Sequence, residues 1–206
     1  MKIRSDEFFN VITHFSGLVM SIVGIPFLVL ANQNLTPYSL FSILFFCFGL
    51  LFVYCSSTLY HININSKNAH KYRILDHISI FYLIAGSYAP VCLITLYNGS
   101  GLKIFLSVFV ISVIGTVFKL FKTGKHEKLS LLLYLIMGWL IIIDIKNLFN
   151  IIPPYGMLLL VVSGLFYTIG TFFYSRTNIR YSHAIWHLFV LAGSTTHYFA
   201  VLFFII

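Results

Sequence analysis

Long runs of apolar residues, broken by short polar clusters, make up almost the whole chain. A helix needs about 20 mostly apolar residues to cross the hydrocarbon core of a bilayer. Runs of that size predict spans near 11–31, 39–61, 77–97, 102–121, 129–146, 155–174 and 183–205. The breaks carry turn chemistry: "NQNLTP", "NINSKNAHKYR", "YNGSG", "KTGKHEK", "KNLFNIIPP" and "SRTNIRY". The fifth run is the hardest to bound, since "LIIIDIKNLFNIIPP" offers several ends and contains Asp144. The opening "MKIRSDEFFN" sets Lys2 and Arg4 ahead of an apolar run, as a signal peptide does. That run continues to Ala31, beyond the ~7–15 residues of a signal's apolar region, and reads as a retained first span. The expected fold is an all-α integral membrane protein, one seven-transmembrane helix bundle over residues 1–206.

Composition agrees. The 206 residues are 59% hydrophobic and 9% charged, against about 25% charged in an ordinary soluble domain. A net charge of +8 would raise nucleic acid as a partner of a soluble protein. Here the positive residues sit between apolar runs, where they orient helices instead. Seven spans alternate in direction, so each loop can be given a side. Eleven of the 13 Lys and Arg then fall on one side, and only Lys103 and Lys146 on the other. The positive-inside rule places the basic side and the N-terminus in the cytoplasm, the C-terminus outside. The three cysteines, Cys47, Cys55 and Cys92, form no CxxC pair and read as small buried hydrophobes.

Polar groups inside membrane spans are expensive and are functional candidates by default. With the directions assigned, most of them fall in one layer near the cytoplasmic face. Asn10 and His14 start the first span, Ser57 and His61 end the second, Asp76 and His77 start the third, and His183 and His187 start the seventh. Residues four apart share a helix face, with Cβ atoms about 5–6 Å apart, so His183 and His187 can converge on one ion. A catalytic zinc takes three protein ligands and keeps a fourth position open. His61 is the best third ligand at that depth. Ser57, one turn earlier, could orient an imidazole or a bound water, and Asp76 could hold a metal-bound water. The same residue types would also serve a proton relay, or sit as satisfied polar groups near helix ends. His70 and His126 lie in basic loops and read as solvated. His197 lies 14 residues beyond His183, about 21 Å along a helix, and reads as a satisfied interior polar group. Trp186 is expected to face outward, to the membrane interface.

Four stretches carry a resemblance: "EFFNVITHFSG" (Glu7 to Gly17), "SSTLYH" (Ser56 to His61), "YRILDHISIFYLIAGSYAP" (Tyr72 to Pro90) and "HAIWHLFVLAGSTTHY" (His183 to Tyr198). Together, and in this order, they resemble the bacterial hemolysin III family. That family is part of the progestin and adipoQ receptor group, which includes the adiponectin receptors. The resemblance implies a seven-helix fold with a zinc site near the cytoplasmic face. The family's SxxxH matches Ser57 and His61, its aspartate Asp76, and its HxxxH His183 and His187. His61, His183 and His187 are then the implied zinc ligands, with Ser57 and Asp76 around a bound water. His14 and His197 match recurring family histidines outside the ligand set. Glu7, Asn10, Thr13 and His14 form an "ExxNxxTH" element similar to a signature of the bacterial branch, read here as a polar latch at the start of the first helix. The long N-terminal region of the animal receptors has no counterpart in this sequence, which weighs against a hormone-receptor role.

Three functions follow as expectations. The first is an intramembrane zinc hydrolase of a lipid amide, ceramidase-like, with Asp76 positioning water or acting as base and Ser57 ordering the site. The second is a cytolysin, as the family's name has it. The third is a sensor or receptor of membrane state that binds zinc without turnover. Each takes membrane lipid as partner and places the protein in the bacterial plasma membrane.

Overall fold

The computed structural model describes residues 5–176 and 178–206. Lys2 and Arg4, counted above for orientation, lie outside the described residues. Among those described, seven helical units are long and apolar enough to cross a membrane, and no strand is present. They are α1 (Ser5–Ala31), α2 (Ser39–Ile62), α3 (Ala69–Pro90) running on through a π-helical turn (Val91–Thr95), α4 (Gly101–Lys122), a compound fifth span, α7 (Pro154–Ser175) and α8 (Ser182–Phe204). The fifth span joins α5 (Glu127–Trp139), a 3₁₀ segment (Leu140–Asp144) and α6 (Ile145–Ile151).

The number of spans matches the apolar runs, but several ends differ. The first helix begins at Ser5 and the third at Ala69, where the hydropathy pattern starts them at 11 and 77. Apolar content marks the depth of the hydrocarbon, whereas helical backbone continues past it. The earlier starts carry Glu7 and Asp76 on helices rather than in loops. The fifth span reaches Ile151, and its break has a specific cause. The Tyr88 hydroxyl donates to the carbonyl of Gly138 at 3.0 Å and accepts from the amide of Ile141 at 3.0 Å. A side chain from α3 thus takes the place of backbone partners in the helix ladder, a recognised source of kinks. Pro153 and Pro154 stop the helix beyond it.

α1 packs between α2 and α8, α2 against α3, α3 against α4, and α7 against α8; the fifth span touches α3, α4 and α7 only lightly. Lipid is as apolar as leucine, so close approach and polar contacts hold membrane helices together. A Cβ on Gly49 would stand 2.7 Å from the carbonyl of Tyr82, and one on Gly86 3.0 Å from that of Phe45, so α2 and α3 touch backbone to backbone. Hydrogen bonds link several other pairs. Tyr134 reaches the His77 carbonyl (2.8 Å), Trp139 the Thr168 hydroxyl (3.0 Å), Ser163 the Gly193 carbonyl (2.9 Å) and Tyr198 the Gly24 carbonyl (2.8 Å). Such bonds are worth about 0.6 kcal/mol each on average. The outer surface carries large exposed apolar groups, among them Leu30, Phe121 and Ile143. An exposed apolar surface of this extent marks contact with a membrane. Cys55 belongs to that outer surface, contrary to the expectation that all three cysteines are buried; Cys47 and Cys92 are buried. It stands on the α2 face turned from the bundle, which an apolar run alone does not distinguish from the inner one.

Candidate metal centre

The last turn of α2 and the first turns of α8 and α1 meet at the basic end of the bundle. Tyr181, with φ of 59°, turns the chain sharply, and α8 starts at Ser182. His183 and His187 follow on one face, ring centroids 4.5 Å apart. His61 comes from α2, its ring 5.1 Å from His183 and 5.0 Å from His187. One ligating atom from each of the three lies within 4.8 Å of the others. A tetrahedral zinc with Zn–N of about 2.0–2.1 Å sets its nitrogens about 3.4 Å apart, a difference that small side-chain rotations close. The Nε2 atoms of His61 and His183 are buried with no hydrogen-bond partner. Buried polar atoms are nearly always satisfied, so two such atoms in neighbouring rings mark a place for a ligand. The residues present therefore fit a metal ion held by three imidazoles.

Ser57 and Asp76 line a cavity that opens beside these histidines. Both are buried, and the Ser57 hydroxyl stands beside the Asp76 carboxylate. His14, His183 and His187 line the same cavity, which continues between α3, α5, α7 and α8 as far as His197. His197 donates from Nε2 to the Ser87 carbonyl at 3.0 Å, a satisfied interior group as read from the sequence.

The first turns of α1 touch the trio directly. Glu7 Oε2 lies 2.7 Å from His61 Nδ1 and 3.2 Å from the Asn10 side-chain amide. Thr13 Oγ1 and the Asn10 carbonyl each lie 3.2 Å from His187 Nδ1. The His14 ring stacks on His187, and both its nitrogens are buried without partners. Sequence reading left these four residues as a polar latch; the structure puts them against the histidines. The signal was their spacing, since positions 7, 10, 13 and 14 form one helical stripe.

Other sequence-singled residues go elsewhere. His77 turns away from the trio toward a second buried cluster, where the ammonium of Lys119 lies 3.1 Å from His77 Nδ1 and 2.8 Å from Glu127 Oε2. Lys119 is fully buried. Trp186 corrects another expectation. It is buried and lines the cavity instead of facing the membrane interface. Gly170 makes room for it: a Cβ there would stand 2.8 Å from the indole. His70 and His126 are exposed, as expected.

Comparison with known proteins identifies a family. Residues 3–198 match the family described as Haemolysin-III related. "Hemolysin-3" of Bacillus cereus is 36% identical over 202 residues, covering 98% of this chain and 92% of that one. "Hemolysin-3 homolog" of Bacillus subtilis (strain 168) is 38% identical over 200 residues, covering 97% and 94%. The human "Monocyte to macrophage differentiation factor" is 27% identical over 198 residues, covering 93% and 81%. A seven-span integral membrane protein matched along nearly its whole length in this way belongs to the haemolysin-III-related family.

Proposed function

We propose that this protein is an intramembrane zinc hydrolase acting on a lipid amide, with His61, His183 and His187 as the zinc ligands. One observation carries the reading: three imidazoles converge beside an apolar cavity that also holds Ser57 and Asp76. Three ligands leave a position open, the pattern of catalytic rather than structural zinc. Zinc bound there supplies a water acidic near neutral pH and polarises a carbonyl. Asp76 takes the proton of the attacking water and returns it to the departing amine. Ser57, beside the carboxylate, hydrogen-bonds that water or Asp76 itself. The apolar walls exclude bulk water and receive an acyl chain. The cavity runs to His197, about 21 Å along the axis, more than the ~15 Å half-thickness of the hydrocarbon core. The choice of amide over ester rests on the ceramidase-like character that the family resemblance implies.

The basic residues crowd the site's end of the bundle, which supports a cytoplasmic site and N-terminus in a bacterial plasma membrane. Metal analysis of purified protein, with lipid profiling of cells carrying wild type or His187→Ala, tests the proposal. About one zinc per chain and a lipid amide that accumulates only with the variant is the expected result. Wild-type protein prepared without chelators and free of zinc would overturn it.

The name of the Bacillus cereus relative, "Hemolysin-3", favours a second reading, cytolysis. Purified protein added to erythrocytes separates the two. Lysis retained by His187→Ala would point to membrane damage independent of the site.

A further inference from the structure

We infer that the first turns of α1 hold two of the three metal-binding imidazoles, His61 and His187, in the tautomer that frees Nε2, making Glu7 and Thr13 positioning residues of the metal centre. This rests on the proposal that the three histidines bind zinc. A neutral imidazole has one N–H and one lone pair, and the metal takes the lone pair. Whatever accepts the N–H on the other side therefore decides which nitrogen can bind.

At His61 the acceptor is Glu7 Oε2, 2.7 Å from Nδ1. A carboxylate only accepts, so Nδ1 carries the proton and Nε2 the lone pair. That Nε2 is the atom left buried and unpaired. At His187 the logic needs one more step, because a hydroxyl can donate or accept. Thr13 Oγ1 is placed to donate to the carbonyls of Phe9 (2.8 Å) and Asn10 (3.0 Å), which engages its proton. Toward His187 Nδ1, at 3.2 Å, it can then only accept. The Asn10 carbonyl, also 3.2 Å away, accepts as well. Nδ1 of His187 is thus the donor, and again Nε2 is free. The Asn10 side-chain amide donates to Glu7 Oε2 at 3.2 Å and steadies the carboxylate.

A plain helix-packing role does not account for this pattern. Packing of α1 is supplied further along by Gly17 against Tyr54 and Gly24 against Tyr198, where a Cβ would stand 2.4 Å and 3.0 Å from those rings. The polar positions add little apolar contact there, yet each reaches a ligand histidine or the group that holds one.

The test uses the full chain in detergent. Zinc dissociation constants are measured by chelator competition, and thermal unfolding is measured on the metal-free protein. Glu7→Ala is expected to weaken zinc binding about 10–100-fold. Glu7→Gln, which keeps an acceptor oxygen, is expected to recover part of that loss. Thr13→Val leaves the Asn10 carbonyl in place and should cost less than Glu7→Ala. Gly24→Ala, remote from the site, should lower the unfolding temperature with zinc affinity unchanged. If Glu7→Ala behaves like Gly24→Ala, α1 only packs and the inference falls. Wild-type protein that takes up no zinc overturns the metal reading beneath it, a different failure from wild-type protein that binds zinc as tightly as Glu7→Ala.

Discussion

The ring of His14 lies on that of His187, centroids 3.6 Å apart and planes within 16°. Both nitrogens of His14 are buried and unpaired, although the residue lines the cavity. An unsatisfied buried polar group costs about 1–3 kcal/mol. His14→Phe keeps the stack and removes that cost. It should therefore unfold at the same temperature as wild type or higher. If His14 hydrogen-bonds the substrate's polar head, the variant keeps its zinc and loses about tenfold or more in lipid-amide turnover, the factor for about 1.4 kcal/mol. A variant that is markedly less stable would show the nitrogens to be satisfied after all.

Glu127 and Lys119 form a second buried unit, with Arg73 3.6 Å from the other carboxylate oxygen. Breaking a fully buried ion pair from one side costs about 3–5 kcal/mol. Glu127 is partly exposed, so Glu127→Gln should cost about 2–3 kcal/mol. For a chain of this length that is roughly a 4–12 °C fall in unfolding temperature. Glu127→Gln combined with Lys119→Met removes both charges and should recover most of it. A double variant as unstable as the single one would mean that the pair does not act as a unit.

Where sequence reading stopped short, the missing information lay in another helix. Seven apolar runs gave the spans because hydrocarbon thickness acts on each helix separately. The histidine trio was legible because alternation of direction fixes depth, and His61, His183 and His187 share one depth. Trp186 was misread because its place depends on Gly170, in α7, and nothing in the α8 sequence reports that space. Lys119 was read only as one of the basic residues on one side, because Glu127, which neutralises it, lies across a turn on the next helix. The role of Glu7 was hidden because its partner, His61, is 54 positions away.

The kink of the fifth span gives a third prediction. Tyr88→Phe leaves the Gly138 carbonyl and the Ile141 amide without their partner. Loss of a buried partner costs about 1–3 kcal/mol. Hydrogen exchange should rise locally over Leu140–Asp144, with α7 and α8 unchanged. Unchanged exchange would mean that the 3₁₀ segment is set by its own sequence and not by α3.

The last prediction concerns metal removal. His61 and His187 are on different helices, α2 and α8, and α1 bridges them. A metal bound by both ties α2 to α8 at one end, where α1 hydrogen-bonds the same histidines. Anything that binds the folded state alone stabilises it by about 2.7 kcal/mol at a hundredfold excess over its dissociation constant. For this length that corresponds to roughly 5–10 °C. Chelator treatment should lower the unfolding temperature by that amount, and added zinc should restore it; His187→Ala should start low and respond to neither. Ligation needs deprotonated imidazole nitrogens and binding releases protons, so acid should drive zinc out of the site. A wild-type unfolding temperature that ignores chelator, zinc and acid alike would remove the ion from the fold's stability.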